Sequence, residues 1–276
     1  MITFPNAKIN LGLHVLDRRE DGFHNIESVI VPVSLCDSLE VVPDYKVASG
    51  HCSMEVYGLK VQGGGSENLC YRAYSQLAEQ YSLPAVNIRL LKNIPTGAGL
   101  GGGSADAAFT IKMLNDLFGL KMTTELMEGH CAELGSDCSF FIGNATALTS
   151  GRGEMVDAFN SDMLVGYQVV VVHPGLHIDT GEAYSNITPD ASKRGLLMNI
   201  LANPMGQWKD TLVNDFEAVV FTQYPQLQSI KEKLYDNGAA YASLSGSGSS
   251  LYGLFKDTML QDLQFGEYQV WSGAIG

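Results

Sequence analysis

The residues best suited to chemistry lie between Pro95 and Ala108, a stretch that reads P-T-G-A-G-L-G-G-G-S-A-D-A-A and holds five glycines in the seven positions from Gly97 to Gly103. Glycine has no Cβ, so backbone N–H groups can converge there on a bound oxyanion. A helix that begins behind such a loop adds about half a positive charge at its N-terminus. Since an idle turn would not require so many glycines, the stretch predicts a phosphate-binding loop.

Neither of the two common phosphate motifs describes this loop. Gly97, Gly99 and Gly102 satisfy the G-x-G-x-x-G spacing of dinucleotide-binding folds, but no acidic residue ends a second strand about twenty residues later, and Asp116 falls inside a helical pattern. The G-x-x-x-x-G-K-[ST] motif also fails, because no lysine follows the glycines.

Lys8 and Asn10 are a second candidate pair. They alternate with the apolar residues of the segment 7–15, which places both on one face of a strand, with Cα atoms about 7 Å apart. They could therefore contact one substrate. A solvated strand face is the simpler interpretation of this segment taken alone.

Two further sets of residues could bind a substrate or begin a helix. Asp21-Gly22 predicts a tight turn, and at its exit Phe23 and His24 could stack on a flat ring and hydrogen-bond it, or could pack as half-buried residues. Either Ser66 or Asn68 could cap a helix.

Two motifs later in the chain each have an ordinary structural interpretation. Asp137, just past Gly135, is most simply a cap for the following segment. A Gly/Ser-rich turn over residues 242–253 could be a decorated hairpin.

The segments that must position these residues include both strand and helical patterns. A strand pattern begins at Val86 before the loop, and a helical pattern after it stops at Gly119. Helical patterns also cover residues 66–80 and a segment that Thr123 or Thr124 begins and Gly135 ends. In the second half, strand-like runs cover residues 167–173, 241–244, 251–255 and 268–271, and helical patterns cover 192–201, 210–220 and 225–236. Without strict alternation of strand and helix, an α+β fold is expected rather than a doubly wound sheet.

Composition limits the partners. The 276 residues are 45% hydrophobic and 17% charged, with a formal net charge of −13, as expected for a globular protein that repels nucleic acid and anionic membranes. A nucleotide must then be held by local positive features. Five scattered cysteines, an odd number, indicate reduced thiols in a cytoplasmic protein rather than a disulfide framework or structural zinc. No signal pattern or membrane-spanning stretch is present.

Together the motifs resemble the GHMP kinases, the galactokinase, homoserine kinase and mevalonate kinase superfamily. The polar N-terminal strand, the central P-x-x-x-G-L-G loop and the C-terminal Gly-rich loop occur here in the family's order. The same resemblance extends to A-K-I-N-L, R-E-D-G-F-H, E-N-L, L-G-S-D, H-P-G, N-D-F-E and S-G-S-G. It implies an α+β, two-domain fold, with a ribosomal-protein-S5-like N-terminal domain over residues 1–158 and a ferredoxin-like C-terminal domain over 159–276.

Within the superfamily, the motifs are most similar to the branch that phosphorylates a cytidine-diphosphate-linked methylerythritol. This resemblance implies transfer of the ATP γ-phosphoryl group to the 2-hydroxyl of that alcohol, with Mg²⁺. It further implies that Asp137 accepts or orients the hydroxyl proton, that Lys8 holds the reacting oxygens and that Asn10 positions the erythritol. The remaining implied contacts are Phe23, His24 and Tyr184 to cytosine, Asn68 and Lys92 on the adenosine side, and Pro95, Gly97, Gly99, Leu100, Gly101, Gly102, Gly103 and Ser104 around the phosphates.

Two adjacent positions depart from the family pattern. A Val-Pro pair usually follows the aspartate, whereas Cys138 and Ser139 follow Asp137 here, which puts the backbone support of the acid in question. The metal ligands stay open, with Ser104 as one candidate.

Two alternative functions also remain open. One is phosphorylation of homoserine or mevalonate on the same scaffold, although such small alcohols would not need the flat side chains of Phe23, His24 and Tyr184. The other is a catalytically silent nucleotide-binding regulator, which would not need both Lys8 and Asp137.

Overall fold

Strands and helices alternate irregularly in the computed structural model, which describes residues 1–61, 65–256 and 263–275. The strands are β1 (Ile2–Thr3), β2 (Asn6–Arg18), β3 (His24–Cys36), β4 (Ser38–Pro43), β5 (Cys52–Gly58), β6 (Val86–Lys92), β7 (Ala147–Ser150), β8 (Met155–Ala158), β9 (Tyr167–His173), β10 (Tyr241–Leu244), β11 (Leu251–Lys256) and β12 (Gln269–Ala274). The helices are α1 (Leu69–Tyr81), α2 (Gly102–Phe118), α3 (Thr124–Leu134), α4 (Phe140–Gly143), α5 (Thr180–Ser185), α6 (Leu196–Leu201), α7 (Phe216–Gln223) and α8 (Pro225–Asp236). The predicted α+β class is confirmed.

The chain folds as two compact units built from interleaved segments. The first unit contains Met1–Ala7, Leu35–Thr96 and Gly101–Asn144, and the second contains Lys8–Ser34, Gly97–Leu100 and Ala145–Gly276. The phosphate loop, residues 95–104, therefore has both ends in the first unit and its tip in the second. The predicted domain division after residue 158 stays a prediction. No helix in the described part of the chain is long and apolar enough to cross a membrane.

The first unit is a four-stranded sheet, in the order β1-β4-β6-β5, with helices packed against it. β6 alternates buried and more exposed residues, as the sequence predicts for a half-buried strand. Helix α2 begins at Gly102, within the run of glycines, and its C-cap is Gly119, whose φ of +62° suits glycine. The side chains of Asn68 and Thr123 cap α1 and α3 by accepting from the backbone N–H groups of Cys70 and Leu126.

The second unit contains two four-stranded sheets, β2-β3-β7-β8 and β10-β11-β9-β12. Its core joins β2, β9, β10 and β11 to α7 and α8 through fully buried residues such as Leu13, Val170, Leu227 and Leu244. Strand β2 is buried from Asn6 to Leu16, so its polar side chains need hydrogen-bond partners inside the protein.

Two predicted helices differ from the structure. The segment 192–201 is divided, because Gly195 adopts a φ of +74° between a short 3₁₀ turn (Ala191–Lys193) and α6. The segment 210–220 becomes helical only at Phe216. Before it, Asn214 bridges to Leu13 of β2 in extended form, and Asp215 accepts the backbone N–H of Val15 at 2.8 Å. These bonds to β2 replace the first turns of the predicted helix.

Candidate active site

The tip of the phosphate loop packs against the Gly/Ser loop, residues 245–250, within the second unit. Ser250 N donates to Ala98 O at 3.1 Å, and Ser245 Oγ donates to Gly99 O at 2.8 Å. Gly99 has a φ of +78°, and an added Cβ there would overlap the carbonyl oxygen of Ser245. Only glycine allows this approach of two backbones.

Lys8 lies beside the contact between the phosphate loop and the Gly/Ser loop. Its backbone N–H donates to Leu100 O at 2.9 Å, and a Cβ added at Gly246 would lie 3.5 Å from its Nζ. The Nζ also donates to Asn10 Oδ1 at 2.7 Å. The ammonium of Lys8 is therefore held beside the two glycine-rich loops, where it can neutralise phosphate charge.

Asn10 continues a chain of hydrogen bonds away from Lys8. Its Nδ2 donates to Ser28 Oγ at 2.8 Å, and Ser28 Oγ donates to Gly12 O at 2.6 Å. Both Lys8 and Asn10 are 3% exposed, so the interpretation as a solvated strand face is wrong: this face of β2 is buried. No sequence signal pointed to Ser28, because a single serine within a strand belongs to no motif.

Phe23, His24 and Tyr184 all lie in the second unit. The rings of His24 and Tyr184 stack with centroids 5.1 Å apart, and Tyr184 meets the buried Phe216 edge to face. Phe23, after the predicted Asp21-Gly22 turn, is 52% exposed and has the guanidinium of Arg152 over its ring at 4.9 Å. Partial burial and the nearby Arg18 lower the pKa of His24, which favours the neutral imidazole.

In the first unit, Ser104 lies in the first turn of α2 and hydrogen-bonds the thiol of Cys138. Cys138 follows Asp137 and is fully buried, and burial raises the pKa of its thiol to about 12, so the thiol is neutral. Ser139 Oγ donates to Glu128 O at 3.0 Å. The two residues that depart from the family pattern therefore anchor the backbone next to Asp137. The N-cap position of α4 is Ser139 rather than Asp137.

Lys92, at the end of β6, is part of a buried charged cluster. Its Nζ donates to Asp37 Oδ2 and, at 2.7 Å, to Asp106 Oδ2. Burial alone would lower the pKa of Lys92, but the two carboxylates raise it above its ordinary value. Asp37 belongs to no sequence motif, and Asp106 lies within the loop motif without a role of its own being indicated by the sequence.

Two side chains of the N-D-F-E segment (residues 214–217) hold the Gly/Ser loop and the strand before it by hydrogen bonds. Asn214 Nδ2 donates to both Leu244 O and Gly246 O at 2.9 Å. Glu217 Oε1 accepts from Ser243 Oγ and from Leu244 N. Two buried side chains thus fix the strand end from which the loop departs.

The predicted residues divide between the units. The second unit brings together Lys8, Asn10, Phe23, His24, Tyr184, Gly97, Gly99 and Leu100, and the first contains Asn68, Lys92, Pro95, Gly101, Gly102, Gly103, Ser104 and Asp137. A glycine-lined loop tip next to a buried ammonium can hold a polyphosphate, and an exposed aromatic ring beside a neutral imidazole can bind a flat base. The individual roles stay predictions.

Comparison with known families adds two matches. The sequence model described as GHMP kinases N terminal domain matches residues 68–151, and the one described as GHMP kinases C terminal matches residues 188–264.

Curated relatives match nearly the whole chain. A 4-diphosphocytidyl-2-C-methyl-D-erythritol kinase of Azobacteroides pseudotrichonymphae is 46% identical over 93% of this chain and 94% of its own. The protein of the same name from Parabacteroides distasonis is 42% identical over 100% of both chains.

Solved structures match as well. A crystal structure of 4-(cytidine 5'-diphospho)-2C-methyl-D-erythritol kinase superposes with a TM-score of 0.75 at 29% identity, covering 100% of this chain and 99% of the other. The mevalonate kinase of Methanococcus jannaschii gives a TM-score of 0.74 at 11% identity, covering 100% of this chain and 98% of the other, which shows the shared fold alone.

Proposed function

Because the chain belongs to the GHMP kinase family, we propose that it transfers the γ-phosphoryl group of ATP to the 2-hydroxyl of 4-diphosphocytidyl-2-C-methyl-D-erythritol, in the non-mevalonate route to isoprenoid precursors. The observation that carries the proposal is the 46% identity, over 93% of the chain, to a relative named for this kinase. The loop tip beside Lys8 and the flat side chains around Phe23 support the same reaction.

Phosphoryl transfer passes through a loose transition state, so the protein contributes mainly position and charge. Backbone N–H groups of the phosphate loop hold the triphosphate, and the α2 N-terminus adds favourable potential. Lys8 neutralises charge on the reacting oxygens. Phe23, His24 and Tyr184 bind the cytosine, Asn10 positions the erythritol, and Asn68 contributes on the adenosine side. Lys92, which is buried between two carboxylates, acts on ATP binding through the phosphate loop.

Asp137 acts on the acceptor hydroxyl. An alcohol is far less acidic than a carboxylic acid, so a carboxylate cannot remove its proton fully before the reaction. Asp137 therefore orients the hydroxyl and takes the proton late, as the new bond to phosphorus forms. The anchored backbone at Cys138 and Ser139 keeps the carboxylate in position.

Mg²⁺ would accompany ATP. No cluster of three or more His, Cys, Asp or Glu side chains suited to a metal occurs in the described part of the chain. Mg²⁺ that arrives on a nucleotide needs few protein ligands, and the hydroxyl of Ser104 in the first turn of α2 is a suitable oxygen donor. When bound, the ion neutralises charge on the phosphate oxygens. A cytoplasmic location stays a prediction from the sequence.

The direct test is ATP consumption with the cytidine-linked alcohol, homoserine and mevalonate in parallel. Turnover is expected with the cytidine-linked alcohol alone. Turnover with either of the others would reassign the substrate, and ATP binding without turnover on any alcohol would favour a regulator.

Asp137→Ala tests the mechanism. We expect kcat to fall about 10²- to 10⁴-fold while both KM values stay near those of the wild type, because the carboxylate acts on the proton rather than in binding. Asp157→Ala, at an exposed position of β8, is the matched control. An unchanged kcat in Asp137→Ala would remove this residue from the mechanism.

A further inference from the structure

We propose that Asp37 and Asp106 are positioning residues, which hold the two ends of the phosphate loop together through the ammonium of Lys92 and so set the affinity for ATP. This inference rests on the proposed function. It concerns the first unit alone, where both ends of the loop lie.

Asp37 fixes the start of the loop. Its Oδ1 accepts the backbone N–H groups of Asn93 at 2.6 Å and Ile94 at 2.9 Å, the two residues before Pro95. Its Oδ2 accepts from Lys92 Nζ. The side chain is fully buried, so these charge-assisted hydrogen bonds are shielded from water and stronger than they would be at the surface.

Asp106 fixes the end of the loop. It lies in the second turn of α2, and its Oδ2 accepts from Lys92 Nζ at 2.7 Å. The packing beside it is tight, because a Cβ added at Gly102 would lie 2.8 Å from Ile94 Cγ2 and 3.3 Å from Lys92 Nζ. The ammonium therefore ties the first turns of α2 to the strand end before the loop.

The ammonium of Lys92 forms ion pairs with both carboxylates of this cluster. Its side chain is 2% exposed and meets two carboxylates, so it contributes to ATP binding by fixing the loop. The loop's backbone N–H groups, in turn, can bind the phosphates only if its two ends keep their spacing.

One ammonium for two buried carboxylates leaves the cluster with excess negative charge. Asp106 Oδ1 is buried with no hydrogen-bond partner among the described residues. The titratable groups around Asp106 are Lys92 from β6, Asp37 from the β3–β4 connection and Cys70 from α1. Burial raises the pKa of Asp106 to about 7, with Asp37 adding to the rise and Lys92 opposing it. The raised pKa leaves a larger share of Asp106 protonated as the pH falls, and the protonated form binds the ammonium less strongly than the ionised form.

Asp106→Asn mimics the protonated form and provides the test. At pH 8 the KM for ATP is expected to rise about ten-fold with kcat changed much less, because a charge-assisted bond that positions the loop is lost. At pH 6 the ratio of the variant's KM to the wild type's should be smaller than at pH 8, because the raised pKa of Asp106 leaves more of the wild-type carboxyl protonated. A role limited to general stability would lower the free energy of unfolding and leave the KM for ATP at its wild-type value at pH 8, and that result would overturn the proposal.

Asp116→Asn, at an exposed position of the same helix, is the matched control and should leave the KM for ATP unchanged at both pH values. If Asp106→Asn does not fold, Asp37→Asn takes its place. That variant should also raise the KM for ATP, and a wild-type KM at every pH would equally overturn the proposal.

Calorimetric titration with MgATP separates this inference from the proposed function. A wild-type protein that binds MgATP but phosphorylates none of the three alcohols would contradict the proposed function only. The pH-dependent ratio of dissociation constants between wild type and Asp106→Asn would still test the cluster, and a ratio of one at pH 8 would refute it.

Discussion

Lys8 and Lys92 are both buried, and their surroundings give them different uses. The ammonium of Lys92 lies between two carboxylates at the base of the phosphate loop, whereas that of Lys8 donates to the neutral amide of Asn10 beside the glycines of two loops. A cation between two carboxylates stabilises structure, and the proposed role of Lys8 beside the glycines is to neutralise phosphate charge. The same residue type thus has two different surroundings in this chain.

At the residue scale, Phe23→Ala tests the cytosine site. Phe23 is half exposed, with Arg152 over its ring. A base stacked on an aromatic ring gains about 1–3 kcal/mol, so the KM for the cytidine-linked alcohol should rise about 5- to 150-fold. The KM for ATP should not change, which steady-state kinetics with each substrate varied in turn will measure. Phe4→Ala, at another exposed phenylalanine, is the control. An equal rise in both KM values would contradict the assignment.

At the scale of the element, local patterns predicted structure where neighbouring residues decide it. The strand β9 (Tyr167–His173), the stop at Gly119 and the caps at Asn68 and Thr123 all follow from sequence signals within a few positions. The start of α7 did not, because Asn214 bonds to a segment 30 residues away and Asp215 to one 200 residues away. Such bonds between distant segments leave no periodic trace in the sequence.

Asn214→Ala tests the support of the Gly/Ser loop. The substitution leaves the carbonyls of Leu244 and Gly246 without their buried donor. An unsatisfied buried polar group costs about 1–3 kcal/mol, so the free energy of unfolding in urea should fall by at least that amount. The kcat should fall too, since Gly246 lies beside Lys8. Asn237→Ala removes one exposed bond, to Lys233 O, and should change neither quantity. A stable Asn214→Ala protein with wild-type kcat would contradict this prediction, because the Gly/Ser loop would then keep its conformation without Asn214.

At the scale of the whole molecule, the order of motifs along the chain predicted the family and the α+β class. Motif order could not predict the cluster around Lys92, because Asp37 comes from a strand connection 55 residues away and has no characteristic neighbours. The burial of Lys8 and Asn10 could not be predicted either. A strand that is buried on both faces and a strand that is exposed on one face can show the same alternation of polar and apolar residues. The sequence thus identified the loop, while the contacts that fix it depend on the folded chain.

The net charge of −13 predicts that kcat/KM for the two anionic substrates depends on the ionic strength. ATP and the cytidine diphosphate substrate are both anions, so the protein's long-range field opposes their approach. That field extends about 30 Å at 0.01 M ionic strength and about 8 Å at 0.15 M. With Mg²⁺ kept saturating, kcat/KM for each substrate should therefore rise a few-fold over this range. Inhibition by cytidine, which is uncharged, should stay constant and serves as the control. A fall in kcat/KM with added salt would mean that the local field of Lys8, Arg152 and the loop N–H groups outweighs the charge of the whole molecule.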